Sequence, residues 1–458
     1  MGSLAGLLAA AGHRVTGSDA AFHPPIGPAL ARWGVETMAG YSPDHLDPAP
    51  DLVVVGNVCR PDHVEARAAI DRGLPYASFP ATLASQFLTS RRPFVVAGTH
   101  GKTTTSTLLS YLLHRAGSDP GMLVGGIPRD FDASFRLGAE GAPFVVEGDE
   151  YDSAFFEKTP KLWQYRARAA ILTSVEHDHI DIYPDEPSYF AAFERFVAEL
   201  PADGVLVAWA GSPAVRAVAQ KAACRVVWYA LSDDDTGDVS PTWLAAPHKA
   251  HGGVQPFDLF IGGSATPTAK SPMSGRHNVL NAVAAMALVA ETGEGTIDGL
   301  LAGLRDFRGV RRRQELLGVA DGVRVYDDFA HHPTAVRETL RGLRARHPDG
   351  RLWAVFEPRS ATASRRLHQA EYPRAFGAAD VVILAPVGRP EIPDPERLDV
   401  EAIATEIGPG ALAPPDHDAI LAGLVDGARP GDTVVLMSNG AFGGLHDRVL
   451  AALARRTL

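Results

Sequence analysis

The residues with the clearest chemical potential lie in Pro93–Gly117, which reads PFVVAGTHGKTTTSTLLSYLLHRAG. In a phosphate-binding loop, glycines let backbone N–H groups converge on an anion, a lysine reaches the outer phosphates, and a Ser or Thr hydroxyl meets magnesium. Gly98, Gly101, Lys102 and Thr103 supply these residue types in that order. The segment therefore predicts a site for nucleotide phosphates.

The spacing departs from the common G-x-x-x-x-G-K-[ST] pattern, because the first glycine of that pattern would fall at Val96. A short G-K-T run also occurs by chance, so the alternative is a tight strand-to-helix turn without a nucleotide. The flanks favour the nucleotide. Phe94–Ala97 has the pattern of a buried strand, and the leucines between 108 and 113 form one apolar helical face.

The elements that must position these residues fall into three α/β blocks within the 458 residues. Residues 1–90 alternate helix and strand. Residues 91–308 predict a larger nucleotide-binding block, with strands at 94–97, 144–147, 170–174 and 205–208. Residues 309–458 alternate again, with strands at 323–326, 352–356, 381–385 and 433–437. The alternation predicts parallel sheets covered by helices.

The first block begins with a helix-patterned stretch, MGSLAGLLAAAGHRV, whereas a dinucleotide-type unit begins with a central strand. We hypothesise that Met1 is an internal methionine and that roughly ten further residues, one strand and its turn, precede it. A reduced domain with different strand pairing is the alternative. Intact mass of the protein from its native host would decide between them.

Composition narrows the function classes. The chain is 46% hydrophobic and 21% charged, and it contains neither a signal peptide nor an apolar run of membrane-spanning length, so we expect a cytoplasmic protein. Cys59 and Cys224 lack metal-binding spacing. A net charge of −11 argues against a broad nucleic-acid surface but permits a local cationic pocket for small anions.

Acidic and histidine residues follow two of the predicted strands. The first strand ends in Glu147, with Asp149, Glu150 and Asp152 close behind, which predicts magnesium ligands or, alternatively, a solvated acidic loop. The second strand runs into VEHDHIDIY, where His179 could lie near a metal or a phosphate, or belong to a polar loop.

Further polar groups stand later in the chain. Asn278 and Asn281, three apart on a predicted helix, could contact a nucleobase, although helix capping also explains Asn278. Three arginines at 311–313 suggest a phosphate clamp or an exposed basic turn. Glu357 and Arg359 end another strand, and arginine suits recognition of a substrate carboxylate.

Five ordered motifs resemble those of the Mur ligase family, the ATP-dependent amide-forming enzymes of peptidoglycan metabolism. They are G-T-H-G-K-T-T at Gly98–Thr104, E-x-D-E at Glu147–Glu150, E-x-D-H at Glu176–His179, G-x-H-N-x-x-N at Gly275–Asn281 and D-D-F-A-H-H-P at Asp327–Pro333. The resemblance implies an α/β fold with three domains. These are a UDP-sugar-binding Rossmann-like domain at 1–90, with or without its first strand, a central P-loop ATPase-like domain at 91–308, and a C-terminal Rossmann-like domain at 309–458 that binds the acceptor.

The resemblance also implies roles for individual residues. The implied ATP contacts are Gly98, Thr99, His100, Gly101, Lys102, Thr103, Thr104, His277, Asn278, Asn281, Arg313 and Asp328. The implied magnesium ligands are Thr103, Glu147 and His179, and the implied substrate contacts are Ser18, Asp19, Asn57, His331, Glu357 and Arg359. Lys102, His179 and Arg313 would be catalytic.

The implied cofactors are ATP and Mg²⁺, and the implied partners are UDP-N-acetylmuramate and a short peptide or amino acid, with no nucleic acid or membrane, acting as a monomer or weak homodimer. The runs at 150–158 and 357–360 are similar to family members that attach L-alanyl-γ-D-glutamyl-meso-diaminopimelate during peptidoglycan recycling. Ala361 stands where those members have asparagine, and a G-x-x-G turn is missing before Met1. L-alanine as acceptor and a non-catalytic nucleotide sensor are the alternatives.

Overall fold

The computed structural model describes residues 1–23, 26–131, 133–180 and 182–456. They form two compact units. The first comprises Met1–His177, Asp185–Leu244 and Asn281–Gly303, and the second comprises Asp178–Pro184, Ala245–Leu280 and Leu304–Leu458. None of the helices in these described ranges combines the length and apolarity that crossing a bilayer requires.

Residues 1–90 alternate helix and strand, as the sequence predicts. The helices are α1 (Gly2–Ala10), α2 (Ile26–Arg32), α3 (Val64–Asp71) and α4 (Phe79–Leu83), and the strands are β1 (Thr16–Asp19), β2 (Glu36–Ala39), β3 (Val53–Val55) and β4 (Tyr76–Ser78). β1 pairs with β2 and β3 with β4, both in parallel, as two separate two-stranded sheets. Among the described residues, no strand joins these two pairs.

A parallel sheet forms the centre of the first unit. Its region contains β5 (Arg92–Ala97), β6 (Gly121–Leu123), β7 (Phe135–Arg136), β8 (Pro143–Gly148), β9 (Asp152–Ala154), β10 (Glu157–Pro160), β11 (Ala169–Leu172), β12 (Val205–Trp209) and β13 (Arg225–Leu231), with helices α5 (Lys102–Arg115), α6 (Lys161–Gln164), α7 (Glu186–Ala198) and α8 (Pro213–Ala219). Seven strands of the sheet follow the order β13-β12-β11-β5-β8-β6-β7, and among the described residues of these seven β7 pairs antiparallel while the other pairings are parallel. β9 and β10 form a separate antiparallel hairpin.

The helix after the phosphate-loop motif packs closely on this sheet. α5 contacts β5 and β8, and its residues from Thr103 to Leu113 are buried. The buried stretch includes Thr105, Ser106 and Thr107, whose hydroxyl oxygens have no hydrogen-bond partner in the described part of the chain. Small side chains let a helix approach a sheet at interior packing density.

Between residues 243 and 306 lie β14 (Trp243–Pro247), β15 (Gln255–Ile261), β16 (Ser264–Ala265), β17 (Ala269–Ser271), α9 (Arg276–Glu291) and α10 (Ile297–Asp306). β16 and β17 both pair antiparallel with β15.

The second unit contains a mostly parallel sheet. Its strands are β18 (Glu315–Ala320), β19 (Val323–Asp328), β20 (Leu352–Phe356), β21 (Val381–Leu384), β22 (Ala411–Leu412) and β23 (Thr433–Met437), and its helices are α11 (Pro333–Arg346), α12 (Tyr372–Ala375), α13 (Val400–Ile407), α14 (His417–Gly427) and α15 (Leu445–Arg455). Among the described strands the order is β18-β19-β23-β20-β21-β22; β18 pairs antiparallel with β19, and the other pairings are parallel. Because β23 separates β19 from β20, their carboxyl ends border a topological switch point, where ligands of α/β sheets commonly bind.

Candidate nucleotide and substrate site

The loop between β5 and α5 has the backbone that its two glycines predict. Gly98 has a φ of +130° and Gly101 has a φ of +81°, in the region that glycine adopts most readily. A side chain on Gly101 would place its Cβ only 2.6 Å from Oδ1 of Asn281. The structure therefore brings Gly101 and Asn281, both predicted to be ATP-site residues, into contact.

The ammonium of Lys102 lies under this loop. Its Nζ donates to the Gly98 carbonyl at 2.6 Å and to Glu150 Oε2 at 3.0 Å. Burial acts to lower the pKa of Lys102, but the carboxylates of Glu150, Asp149 and Glu147 outweigh burial and raise this pKa. The lysine is therefore charged and held against its own loop by a fully buried carboxylate.

Glu150 belongs to a polar chain that connects the loop to α7. The Tyr189 hydroxyl donates to Glu150 Oε1 at 3.3 Å and lies 3.0 Å from Thr99 Oγ1. Thr99 in turn accepts a hydrogen bond from the backbone N–H of Glu176 at 2.9 Å. The sequence singled out Thr99 and Glu150 but not Tyr189, which stands in a helix-patterned segment without a recognisable motif.

Thr103 and Glu147, two of the three predicted metal ligands, are hydrogen-bonded to each other. Thr103 Oγ1 donates to Glu147 Oε2 at 3.0 Å, and the backbone N–H of Gly125 donates to Glu147 Oε1 at 2.5 Å. Glu147 is only 8% exposed. A hydroxyl and a carboxylate with hard oxygen donors are thus placed together at the first turn of α5.

His179, the third predicted metal ligand, belongs to the second unit and has a φ of +54°. Its backbone N–H donates to Asp178 Oδ1 at 2.7 Å, and Thr362 Oγ1 donates to the same oxygen at 2.7 Å. Burial acts to raise the pKa of Asp178, but His179, the Thr362 hydrogen bond and His331 together lower it. Asp178 is therefore a buried carboxylate anion, which the sequence analysis passed over in favour of its histidine neighbour.

The predicted ATP-site residues at the start of α9 lie in a buried setting. Asn278 is the third residue of α9, and its Nδ2 donates to the Ser274 carbonyl at 2.8 Å. This bond is not an N-cap bond, in which a side-chain oxygen accepts from a backbone N–H. His277 Nε2 is 3.4 Å from Gln314 Nε2, and burial lowers the pKa of His277, which favours the neutral ring.

Asp328 lies at the end of β19, and Arg313 lies in the turn that precedes β18. The Asp328 carboxylate accepts backbone hydrogen bonds from Gln314 at 2.7 Å and from Ala330 at 2.8 Å, and burial raises its pKa. The Arg313 guanidinium lies 4.9 Å from the centre of the Phe329 ring. Asp328 thus has a structural role in organising this turn, beside any contact with a ribose.

Glu357 and Arg359 follow the carboxyl end of β20, as the sequence predicts. Glu357 is 2% exposed and accepts a hydrogen bond from the Ser438 hydroxyl, which the sequence analysis did not identify. Arg359 Nη1 lies 3.9 Å from Glu357 Oε1, and the Arg359 side chain remains 48% exposed. An exposed guanidinium beside a buried carboxylate can receive an external anion.

The predicted sugar contacts lie near the strand ends of residues 1–90. Ser18 Oγ is 3.2 Å from His45 Nδ1, and Asp19 Oδ1 accepts from the Ala20 N–H at 2.7 Å. Asn57 lines a cavity of about 270 Å³ that Lys161 also lines. Nothing in the local sequence distinguishes Lys161 from a surface lysine, because no motif surrounds it.

Comparisons with known proteins identify the family and its domains along the chain. Residues 1–90 match the model described as Mur ligase family, catalytic domain, residues 96–289 match the Mur ligase middle domain, and residues 312–440 match the Mur ligase, glutamate ligase domain. The predicted α/β class and three-domain Mur ligase architecture are confirmed, whereas the boundaries at 90 and 308 stay a prediction.

Similar proteins match over nearly their whole lengths. The UDP-N-acetylmuramate–L-alanyl-γ-D-glutamyl-meso-2,6-diaminoheptandioate ligase of Escherichia coli is 36% identical over 458 residues, 100% of this chain and 96% of that protein. The UDP-N-acetylmuramate–L-alanine ligase of Kineococcus radiotolerans is 37% identical over 469 residues, 100% of this chain and 94% of that protein.

Among solved structures, the murein peptide ligase of Psychrobacter arcticus superposes with a TM-score of 0.73 at 36% identity, covering 99% of this chain and 96% of that one. Family models and full-length relatives thus agree with the five motifs and with the observed sheets. The chain belongs to the Mur ligase family and is an ATP-dependent ligase.

Proposed function

We propose that this enzyme joins the carboxylate of UDP-N-acetylmuramate to the amine of L-alanyl-γ-D-glutamyl-meso-diaminopimelate in peptidoglycan recycling, and so contributes to cell-wall biogenesis and cell shape. The main observation behind the proposal is that Lys102 contacts the glycine loop through the Gly98 carbonyl, next to the hydrogen-bonded Thr103 and Glu147. The full-length likeness to the Escherichia coli ligase supports the choice of acceptor. The proposed use of a UDP-linked sugar and of ATP also supports a cytoplasmic location.

ATP is the proposed nucleotide. The backbone N–H groups of the Gly98–Thr104 loop would hold its phosphates, and Lys102 would exchange Glu150 for the outer phosphates. Asn281, which lies against Gly101, supports a contact between α9 and the nucleotide. The proposed ATP contacts in the second unit are His277, Asn278, Arg313 and Asp328.

Mg²⁺ is the proposed metal, and the side chains fit it. Thr103 and Glu147 offer hard oxygens 3.0 Å apart in a buried position, and His179 is the proposed third ligand. When bound, Mg²⁺ supplies positive charge that offsets the charge of the phosphates.

The chemistry needs an activated acid, because a carboxylate is a poor electrophile. An oxygen of the muramoyl carboxylate attacks the γ-phosphorus, ADP leaves, and an acyl phosphate forms. The acceptor amine then attacks the acyl carbon, and inorganic phosphate leaves. Both steps concentrate negative charge, and Lys102 and Arg313 would stabilise it. Electrostatic stabilisation of this kind is usually the largest contribution to the catalysis of phosphoryl transfer.

The acceptor is proposed to bind at the carboxyl ends of β20 and β23. Arg359 would bind a carboxylate of the peptide, since its guanidinium is exposed and offers a two-pronged donor. Glu357 and His331 are the other proposed contacts on this side, and Ser18, Asp19 and Asn57 are those proposed for the UDP-sugar. We expect the enzyme to be a monomer or a weak homodimer.

Acceptor-dependent phosphate release tests the function. The enzyme with ATP, Mg²⁺ and UDP-N-acetylmuramate is offered the tripeptide or L-alanine in parallel reactions, and the product mass is recorded. We expect phosphate release and a UDP-muramoyl-tripeptide only with the tripeptide. The Kineococcus relative makes L-alanine the second candidate, and faster turnover with L-alanine would select it. No release with either acceptor would contradict a ligase and favour a sensor.

A further inference from the structure

The cavity of about 270 Å³ in the first unit lies beside the phosphate-loop helix. Asn57 and Phe79 line it from residues 1–90, and Glu147, Asp149 and Lys161 line it from the region that follows. Among the described residues that line it, Lys161 is the only side chain with a positive charge. The Lys161 ammonium therefore faces two carboxylates, those of Glu147 and Asp149, in the same cavity.

The position of Lys161 is fixed by its surroundings. Its Nζ lies 3.4 Å from Asp149 Oδ2, 5.7 Å from the centre of the Phe79 ring and 5.5 Å from the centre of the Tyr151 ring. The backbone N–H of Lys161 donates to the Tyr151 carbonyl at 3.0 Å. The Lys161 side chain is only 15% exposed, so the neighbouring carboxylate and aromatic rings hold its ammonium in place and shield it from water.

Lys158, three residues earlier on β10, shows what a surface lysine looks like in this segment. Its side chain is 68% exposed and pairs with Asp152 at 2.9 Å. Exposed pairs of this kind contribute little to stability. The two lysines share a type and a segment but differ in environment, which makes Lys158 a matched control.

The cavity reaches the place where the phosphorylation must occur. Glu147 lines it and also accepts the hydrogen bond from Thr103 at the first turn of α5. Under the proposed function, the muramoyl carboxylate must stand next to the γ-phosphate, and so next to Glu147. Glu147 and Asp149 repel an anion, so a carboxylate needs cations nearby to enter. The proposed Mg²⁺ would offset Glu147, and the Lys161 ammonium lies 3.4 Å from Asp149 Oδ2.

Tyr165 adds an uncharged donor to the same wall. Burial, followed by the charges of Asp149 and Glu147, raises the pKa of Tyr165 well above its ordinary range. Its phenol is therefore neutral at physiological pH and can donate to an oxyanion. The Lys161 ammonium and the Tyr165 hydroxyl are thus both available in this cavity to a small anionic group.

We infer that Lys161 binds the muramoyl carboxylate of UDP-N-acetylmuramate and positions it for attack on the γ-phosphate. This assignment rests on the proposed function and adds a substrate contact that distinguishes the muramoyl sugar from its carboxylate-free relative. UDP-N-acetylglucosamine lacks the whole lactyl group, including its carboxylate, and shares the rest of the nucleotide sugar. Because the carboxylate is the only charged part of the lactyl group, a loss on Lys161→Gln that is confined to UDP-N-acetylmuramate points to the carboxylate.

Calorimetry with both nucleotide sugars tests this role. Lys161→Gln should weaken binding of UDP-N-acetylmuramate roughly 10- to 100-fold, the usual range for a lost hydrogen bond to a charged group. The same variant should bind UDP-N-acetylglucosamine as the unaltered protein does. Lys161→Arg should recover part of the loss because it restores the charge, and Lys158→Gln should change neither affinity.

Each other outcome overturns the assignment. An equal loss for both sugars would mean that Lys161 only shapes the pocket, and no loss for either would mean that it does not contact the substrate. Circular dichroism of Lys161→Gln and Lys161→Arg checks that both variants are folded. If the unaltered protein binds neither sugar, the proposed function fails together with this assignment; if it binds and ligates normally with Lys161→Gln, only this assignment fails.

Discussion

Replacing Lys102 should affect stability and catalysis by separate routes. In Lys102→Ala the carboxylate of Glu150 loses its ammonium at 3.0 Å while it remains 0% exposed. Breaking a buried ion pair by removing one partner costs about 3–5 kcal/mol, because an uncompensated charge stays behind. We therefore expect Lys102→Ala to lower the free energy of unfolding by an amount in this range, lessened by the remaining hydrogen bond from Tyr189.

A double variant separates the two effects. Lys102→Met with Glu150→Gln replaces the ion pair by neutral groups of similar size, so most of the stability should return. Activity should not return, since the charge that stabilises the transferring phosphoryl group is still missing. The loss of a preorganised charged contact of this kind is about 10²- to 10³-fold in kcat.

Urea unfolding and acceptor-dependent phosphate release, measured on the same preparations, test this reasoning. Glu150→Gln alone serves as the control, because it keeps the lysine. Near-normal turnover by the double variant would refute the catalytic role of Lys102. A Lys102→Ala protein as stable as the unaltered enzyme would instead show that the ion pair with Glu150 contributes little to folding.

Three further predictions follow. Gly101→Ala should weaken binding of a non-hydrolysable ATP analogue, because it adds about 1–2 kcal/mol of backbone strain and a clash with Asn281. Gly73→Ala is the control: its φ is +68° and nothing lies near its Cβ, so the affinity should not change. Equal affinities of the two variants in calorimetry would contradict this prediction. Burial and neighbouring arginines lower the pKa of His347 to about 4. The folded state therefore binds fewer protons than the unfolded state between about pH 6.5 and 4, and stability falls as the pH drops through this window. His347→Gln should flatten that slope in pH-dependent urea unfolding, and an unchanged slope would contradict this. Chelation of divalent cations should abolish phosphate release and added Mg²⁺ should restore it, while full activity in excess chelator would exclude a metal requirement.

The sequence predicted the main parallel strands well because they are short, apolar and buried. The strand predicted at 433–437 matches β23 residue for residue, and that at 352–356 matches β20. Antiparallel elements such as β9, β10 and β18 were missed. β9 and β10 are very short and mixed in polarity, and β18, although mostly apolar, has no alternating period. The pairing of β1 with β2 and of β3 with β4 depends on which strands become neighbours, and local pattern does not contain that information.

For the site, motifs identified residues whose type and spacing are diagnostic, such as Lys102 and Thr103. They did not identify partners that come from distant segments. Tyr189 reaches Glu150 across 39 positions and Thr362 reaches Asp178 across 184, so only the folded chain reveals either contact. Lys161 was missed for another reason: burial distinguishes it from Lys158, and its residue type does not.

The run of buried threonines and serines in α5 has a consequence for the thermodynamics of ligand binding. Side chains this small lose little rotational freedom when they pack, so the helix that carries the anion-binding loop is ordered at low entropic cost before any ligand arrives. A ligand that meets a rigid scaffold spends little of its binding free energy on ordering protein. More of that free energy is left to stabilise the transition state.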